Sequence, residues 1–330
     1  MIAGSSKETR SRLCSTFSKN NNEDPGGTAP NWDRCLVMEL REPWNKDINR
    51  SRFFPAAING LIARADARGD KIRLQCVVRD SEYSVEGHVR LMLFSKPAGM
   101  SKAYHKEEFL VPVESLGNFV GVLLEKPELK DVLDEHRCDT SGIRDILVCT
   151  HGAHDTCCAT FGYPVYEELR KRITSVSNES LRVWRVSHIG GHRFSPNLVD
   201  LPTGRNWVRM GVDDLEPILL KKQPVDKLRS FYRGWMLLDS LYAQLVEREL
   251  FMQYGWDWVQ RAASSKVTQY EDGKTVNVVL EVSDGSSEQK IEVFEATVEP
   301  IGSIPRVDCP STGVYGAVTQ FLVTSLAKKE

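Results

Sequence analysis

Cys149 and Cys158, with eight residues between them, are followed thirty positions later by His188-Ile189-Gly190-Gly191-His192. Two thiolates and then two imidazoles is a metal-ligand order. Structural zinc sites pair their cysteines across about two to four residues, because a tight knuckle aims both sulfurs at one tetrahedral centre. An eight-residue interval is instead a loop able to wrap something larger than one ion. The second pair, H-x3-H, has the spacing of a C-x3-C pair with imidazole in place of thiolate. Imidazole replacing thiolate on one iron of a [2Fe–2S] cluster is the Rieske arrangement. The residues therefore nominate an iron–sulfur electron carrier, with Cys149 and Cys158 on one iron and His188 and His192 on the other. Two blander readings stay open on spacing alone: core cysteines, since free cysteine is often buried, and a structural zinc site of Cys2His2 type.

His188 and His192 stand four apart and would share one face of a helix, as in zinc proteases. Gly190-Gly191 between them would cost a helix about 2 kcal/mol relative to alanines, so a loop is expected, and no H-E-x-x-H glutamate supplies a base. Glycines also allow the backbone to approach a cluster closely. His151 and His154 lie inside the cysteine loop, as hydrogen-bonding neighbours of a cluster, substitute ligands or, as the better reading, solvated loop histidines. Arg193 either screens cluster charge or pairs with a carboxylate. Adjacent Cys157-Cys158 would make a poor dithiol pair compared with C-x-x-C, which weakens a rival reading as a thiol oxidoreductase.

Stepping outward to the elements, Ile146-Leu147-Val148 reads as a strand running straight into Cys149. Pro164 suits the first turn of a helix, and Val165, Leu169 and Ile173 extend that helix over 164–174. Arg182 to Val186 is a second strand, ending at the histidine loop, and Asn206 to Met210 a third. Asp213-Asp214 would cap a short helix from Leu215 to Lys221. Both ligand pairs thus fall at the ends of neighbouring strands. Upstream, residues 1–33 read as an irregular arm. Strands follow at 35–40, 72–78 and 89–94, with a helix from Ala56 to Ala67. Phe109-Leu110-Val111 and Phe119 to Val122 are weaker strand candidates. Downstream, a helix containing Leu237, Leu238, Leu241 and Leu245 precedes hairpin strands 276–280 and 291–294, joined through Asp284-Gly285-Ser286.

The stretches Cys149-Thr150-His151-Gly152-Ala153-His154-Asp155-Thr156-Cys157-Cys158-Ala159, Gly162-Tyr163-Pro164 and Ser187 through Pro196 resemble the sucrase/ferredoxin-like family, whose eukaryotic members include the actin patches distal proteins. Leu201-Pro202-Thr203-Gly204 continues in register. Cys14-Ser15, Gly27-Thr28-Ala29, Glu39 through Trp44 and Tyr232-Arg233-Gly234 carry a weaker likeness. Arg41-Glu42-Pro43-Trp44 lacks a small, apolar lead-in to Pro-Trp, a departure that is expected to lie away from the ligand motifs. The resemblance implies a thioredoxin-like ferredoxin domain and a [2Fe–2S] cluster on Cys149, Cys158, His188 and His192. Its C-x8-C count selects Cys158 over Cys157, which is left as a packing residue. The implied fold class is α/β: a degenerate thioredoxin-like N-terminal half at 34–137, the ligand domain at 138–227, and an α+β accessory segment at 228–330. The implied task is proton-coupled one-electron transfer with an unidentified redox partner protein rather than stand-alone catalysis. A glycosidase, suggested by half of the family's name, would need two carboxylates facing across a sugar. Glu167-Glu168 and Asp213-Asp214 are adjacent on helices and diverge.

Composition agrees. The 330 residues allow roughly two domains, and 41% hydrophobic residues is ordinary for a globular chain. A net charge of −2 with interspersed signs carries no nucleic-acid footprint. No apolar run is long enough to span a bilayer, and no secretory h-region opens the chain. Eight cysteines, two of them adjacent, fit reduced thiols better than a disulfide scaffold. The expected location is therefore cytoplasmic, with an organelle stroma or matrix as the alternative.

Overall fold

The computed structural model describes residues 13–176, 180–222, 224–270, 274–284, 290–307, 309 and 313–329. A short helix, α1 (Cys14–Asn20), precedes two successive units with the same order of elements. The first comprises β1 (Arg34–Glu39), α2 (Ala56–Ala67), β2 (Ile72–Val77), β3 (His88–Ser95), β4 (His105–Pro112) and α3 (Leu116–Glu125). The second comprises β5 (Arg144–Cys149), α4 (Thr156–Val176), β6 (Leu181–Val186), β7 (Asn197–Leu201), β8 (Arg205–Val208) and α5 (Glu216–Leu220). In each unit the helix connects two parallel strands, β1 with β2 and β5 with β6, and two antiparallel strands then continue the sheet from the first strand. This is the thioredoxin-like layer, present twice.

The two layers meet where β2 and β6 run antiparallel at Val77 and Val186. Together with β9 (Tyr232–Trp235) they form one nine-stranded sheet in the order β4-β3-β1-β2-β6-β5-β7-β8-β9. Both faces are covered, so β1 reads as a continuous apolar run. Cys35 and Val37 point to one core, whereas Leu36 and Met38 point to the other, against α2 and α3. Helix α6 (Leu241–Tyr254) packs on the first of these cores. A four-stranded antiparallel sheet, β10 (Ala263–Gln269), β11 (Val276–Ser283), β12 (Ile291–Val307) and β13 (Val314–Lys328), completes the chain. Among the described residues no helix is long and apolar enough to cross a membrane.

Several expectations change. Residues 119–122 are helical, inside α3: Leu116, Phe119, Val120, Leu123 and Leu124 are buried, which is the i, i+3, i+4, i+7 stripe of a helix and not an alternation. The N-terminal arm contains α1, held by its buried face of Cys14, Ser15 and Ser18. Helix α4 begins at Thr156, so Pro164 lies inside it. The short helix expected from 215 to 221 is present as α5, preceded by a single 3-10 turn at Val212–Asp214. Leu237 and Leu238 precede α6, whose N-cap is Ser240, its hydroxyl accepting from the Tyr242 N–H at 3.2 Å. The hairpin strands pair as expected, β11 with β12; Gly285 and Ser286 of their expected turn lie outside the described residues.

Candidate metal centre

Because β5 and β6 are parallel neighbours, Cys149 and the start of the histidine loop emerge at the same edge of the sheet, with Cys149 opposite Val186. The chain after Cys149 turns back at once. Asp155 Oδ1 accepts from the Cys157 N–H at 2.8 Å, capping the first turn of α4. A Cβ on Gly162 would stand 2.0 Å from the Cys149 carbonyl oxygen, so glycine there lets α4 press onto the end of β5. Successive helical residues differ by about 100° in direction, and this separates the adjacent cysteines. Cys158 turns toward Cys149 and His188; Cys157 turns the other way, toward Cys14 and Cys309.

Cys149, Cys158 and His188 each offer a donor atom within 4.8 Å of the other two, and Cys158 Sγ is 3.5 Å from His188 Nδ1. Both cysteines are buried. Hydrogen bonding from Cys158 holds the Cys149 thiol well below its ordinary range, assisted by His188 and against burial. The same bond, together with burial, pushes Cys158 well up. The donor set, two soft sulfurs and one borderline nitrogen without a carboxylate, suits iron–sulfur or zinc chemistry over hard-cation binding.

The histidine segment is a loop, as its glycines imply. Gly190 and Gly191 have φ of 106° and 73°, a region L side chains rarely adopt. A Cβ on Gly191 would also lie 2.7 Å from Arg233 Nη2. Three of the four expected ligands converge; the fourth, His192, does not join them, and its ligand atom lies instead with those of Cys14, Asp155 and Cys309. The His192 ring centroid is 5.9 Å from that of His188, and its Nδ1 is 3.0 Å from Asp155 Oδ2 and 3.1 Å from Cys14 Sγ.

His151 is not a solvated loop histidine. It is buried, its Nδ1 accepts from the His188 N–H at 3.3 Å, and its Nε2–H donates to the Asn45 carbonyl at 2.9 Å. Burial lowers its pKa, consistent with that neutral tautomer. His154 is stacked on His188, with centroids 3.8 Å apart and planes at 18°, and its Nδ1 donates to the Lys46 carbonyl. The Pro-Trp segment is likewise near the site: Trp44 meets His151 edge-on at 5.4 Å. Arg193 pairs with buried Glu23 at 2.7 Å. Arg233 is buried behind the loop, donating to the Gly190 carbonyl and to the Asn197 and Asn206 side-chain oxygens. Burial, and then the nearby Arg193, push its pKa down to about 9. An open cavity of about 730 Å³ meets this edge, lined among others by Lys46, Arg50, Arg73, His154 and His188.

Reading by spacing missed three residues. Cys14 had a signal, its place in the family resemblance. Asp155 had one too, as a capping residue ahead of a helix. Cys309, brought in by the return from β12, had none.

The sucrase/ferredoxin-like family pattern matches residues 25–234. No curated protein matches the chain. Two solved structures do, both of a thioredoxin-like [2Fe–2S] ferredoxin from Aquifex aeolicus, one of them a cysteine-to-serine variant. Each is 16% identical over 26% of this chain; the matches cover 96% and 88% of those chains, with TM-scores of 0.23 and 0.22.

Proposed function

Given that the chain belongs to the sucrase/ferredoxin-like family, we propose that it is a one-electron carrier whose [2Fe–2S] cluster is held by Cys149, Cys158, His188 and His192. The observation that carries this reading is the convergence of Cys149, Cys158 and His188 donor atoms within 4.8 Å at one strand edge. When bound, such a group supplies one-electron redox chemistry at a potential above that of an all-thiolate ferredoxin, since neutral imidazoles add no negative charge.

The remaining residues have definite tasks. The surroundings of Cys149 favour its ionised form, and Ser195 Oγ, 3.9 Å from Cys158 Sγ, leans on the second sulfur. His151 holds the backbone of His188. Asp155 accepts the Nδ1–H of His192, which makes Nε2 the lone-pair nitrogen, the usual way a carboxylate fixes a ligating histidine. Arg233 is a buried cation behind the loop and favours an added negative charge. Each imidazole keeps a second nitrogen for a proton, so electron uptake is coupled to proton uptake. A redox partner protein docks over the cavity that His188 and His154 line.

A dithiol reading has one observation in its favour, the approach of the Cys149 and Cys158 sulfurs to within 4.8 Å. Pulsed electron–nuclear spectroscopy of the dithionite-reduced protein separates the two: two histidine nitrogens coupled to an S = 1/2 cluster support the carrier, and an absent paramagnetic signal supports the dithiol.

A further inference from the structure

Cys157 adjoins a proposed ligand yet faces away from it, toward a second group of sulfurs. Its Sγ is 3.4 Å from Cys14 Sγ and 3.3 Å from Cys309 Sγ. Cys309 Sγ in turn accepts from the Cys14 backbone N–H at 3.1 Å, across a separation of 295 positions. The three thiols come from α1, the first turn of α4 and the connection between β12 and β13. Cys14 and Cys157 are buried, and Cys309 is partly exposed. Leu13, Val307, Phe17 and Phe161 pack around the group. On its remaining side stand Asp155 and His192, which with Cys14 and Cys309 each present a ligand atom within 4.8 Å of the others.

We propose that Cys14, Cys157 and Cys309 form a second metal site, for a single thiophilic divalent cation of the zinc type, with its fourth position on the side of Asp155. Sulfurs bound to one tetrahedral zinc stand about 3.8 Å apart, given a Zn–S distance of about 2.3 Å. Cys157 stands slightly closer than that to each of the other two, at a spacing that one cation between them would open by a few tenths of an ångström. A disulfide would consume two of the sulfurs, strand the third, and need an oxidant; a cation uses all three. Three sulfur donors select zinc over magnesium or calcium. The consequence is mechanical. The cation ties α1 and the long C-terminal hairpin to the helix that carries Cys158, and so braces the first centre from behind.

The site adjoins His192 of the first centre, so its test is run without a cluster. Full-length protein carrying Cys149→Ser and Cys158→Ser is reduced under argon, stripped with a chelator and titrated with cobalt(II) chloride. The proposal expects saturation at about one cobalt per chain, with the strong visible absorption of tetrahedral thiolate-bound cobalt, and displacement by zinc. Adding Cys309→Ser, or separately Cys14→Ser, should weaken cobalt binding by roughly a hundredfold. In the otherwise unaltered chain, Cys309→Ser should remove one zinc and leave the iron content unchanged. No such absorption in the reduced parent, or absorption indifferent to both serine substitutions, overturns the proposal. An anaerobically prepared protein whose mass shows a disulfide in place of two of these thiols overturns it as well.

Discussion

The two thioredoxin-like layers share one topology and one sheet, yet all four proposed ligands fall in the second. At the end of β1, where the second layer has Cys149, the first has Glu39. Glu39 is buried; its Oε2 accepts from the Arg90 N–H at 3.0 Å and its Oε1 from Ser84 Oγ at 2.5 Å. The segment that follows β2 is closed by its own bonds, with Arg79 donating to the carbonyls of Val85 and His88. The loop that follows β6 is instead held from across the seam. Ser187 N donates to the Cys76 carbonyl at 2.8 Å, Cys76 N donates to Ser187 Oγ at 2.9 Å, and Arg73 donates to the His188 carbonyl at 2.8 Å. The comparison teaches a division of labour: the second layer holds the proposed ligands, and the first is the wall against which the histidine loop is set.

The largest effects should break the symmetry between equivalent strand ends. Cys149→Ser and Cys158→Ser should each abolish the iron content of anaerobically purified protein, while Cys157→Ser retains most of it. Glu39→Ala should leave iron unchanged and lower unfolding stability by about 2 kcal/mol, the cost of stranding the buried Arg90 N–H and the half-buried Ser84 hydroxyl. If iron is lost with Glu39 and kept without Cys149, the layers have been assigned the wrong way round.

The next effect is on potential. Replacing His188 by Cys adds a negative charge at one ligand, so the midpoint potential should fall. In the unaltered protein a proton on the outer imidazole nitrogen is held more tightly after reduction, so the potential should fall as pH rises through the oxidised-state pKa. The limiting slope is about 59 mV per pH unit for one proton and one electron. Voltammetry across pH checks this; a pH-independent potential would remove the imidazoles from the account or seal their outer nitrogens from water.

A third prediction concerns charges that couple the layers away from the ligands. Glu108 of β4 is bound by Arg182 of β6 at 2.7 Å, and Arg182 also binds Asp145 of β5 at 2.8 Å. Burial alone would raise the Glu108 pKa, but hydrogen bonds from Arg182 and the charges of Arg182, Lys106 and Arg90 prevail and hold it at about 2. A carboxylate with a depressed folded-state pKa stabilises the fold fully above its unfolded value, about 4.3. That contribution, on the order of 3 kcal/mol, is lost as pH falls from there through about 2. Denaturation followed between those limits should show less acid sensitivity in Glu108→Gln than in the unaltered chain; equal sensitivity would uncouple this network from stability.

The smallest effect tests the wall itself. Arg73→Ala removes one exposed donor to the His188 carbonyl, so stability should drop by about 1 kcal/mol or less. Cluster loss to a chelator should quicken a few-fold. An unchanged rate would mean that the seam at Val77 and Val186 holds the loop without Arg73.

What the chain discloses locally and what it does not follow from range. The order and spacing of Cys149, Cys158, His188 and His192 are local and legible, as are the strands leading into each loop and the glycines that forbid a helix between the histidines. The stripe through Leu116, Phe119, Val120 and Leu123 was equally local, yet a four-residue window at Phe119 shows only its β-prone types. Burial of His151 depends on Asn45 and Trp44, more than a hundred positions away, and no periodicity signals it. Cys309 is more distant still: its partner Cys14 lies 295 positions earlier and meets it only after both sheets are built.

The central claim is that Cys149, Cys158, His188 and His192 hold a [2Fe–2S] cluster, and the most direct measurement is metal and sulfide analysis with an absorption spectrum of protein purified without oxygen. The account predicts a brown protein with about two irons and two acid-labile sulfides per chain, both lost on Cys149→Ser. A colourless protein with neither iron nor sulfide, whatever zinc it carries, would contradict it.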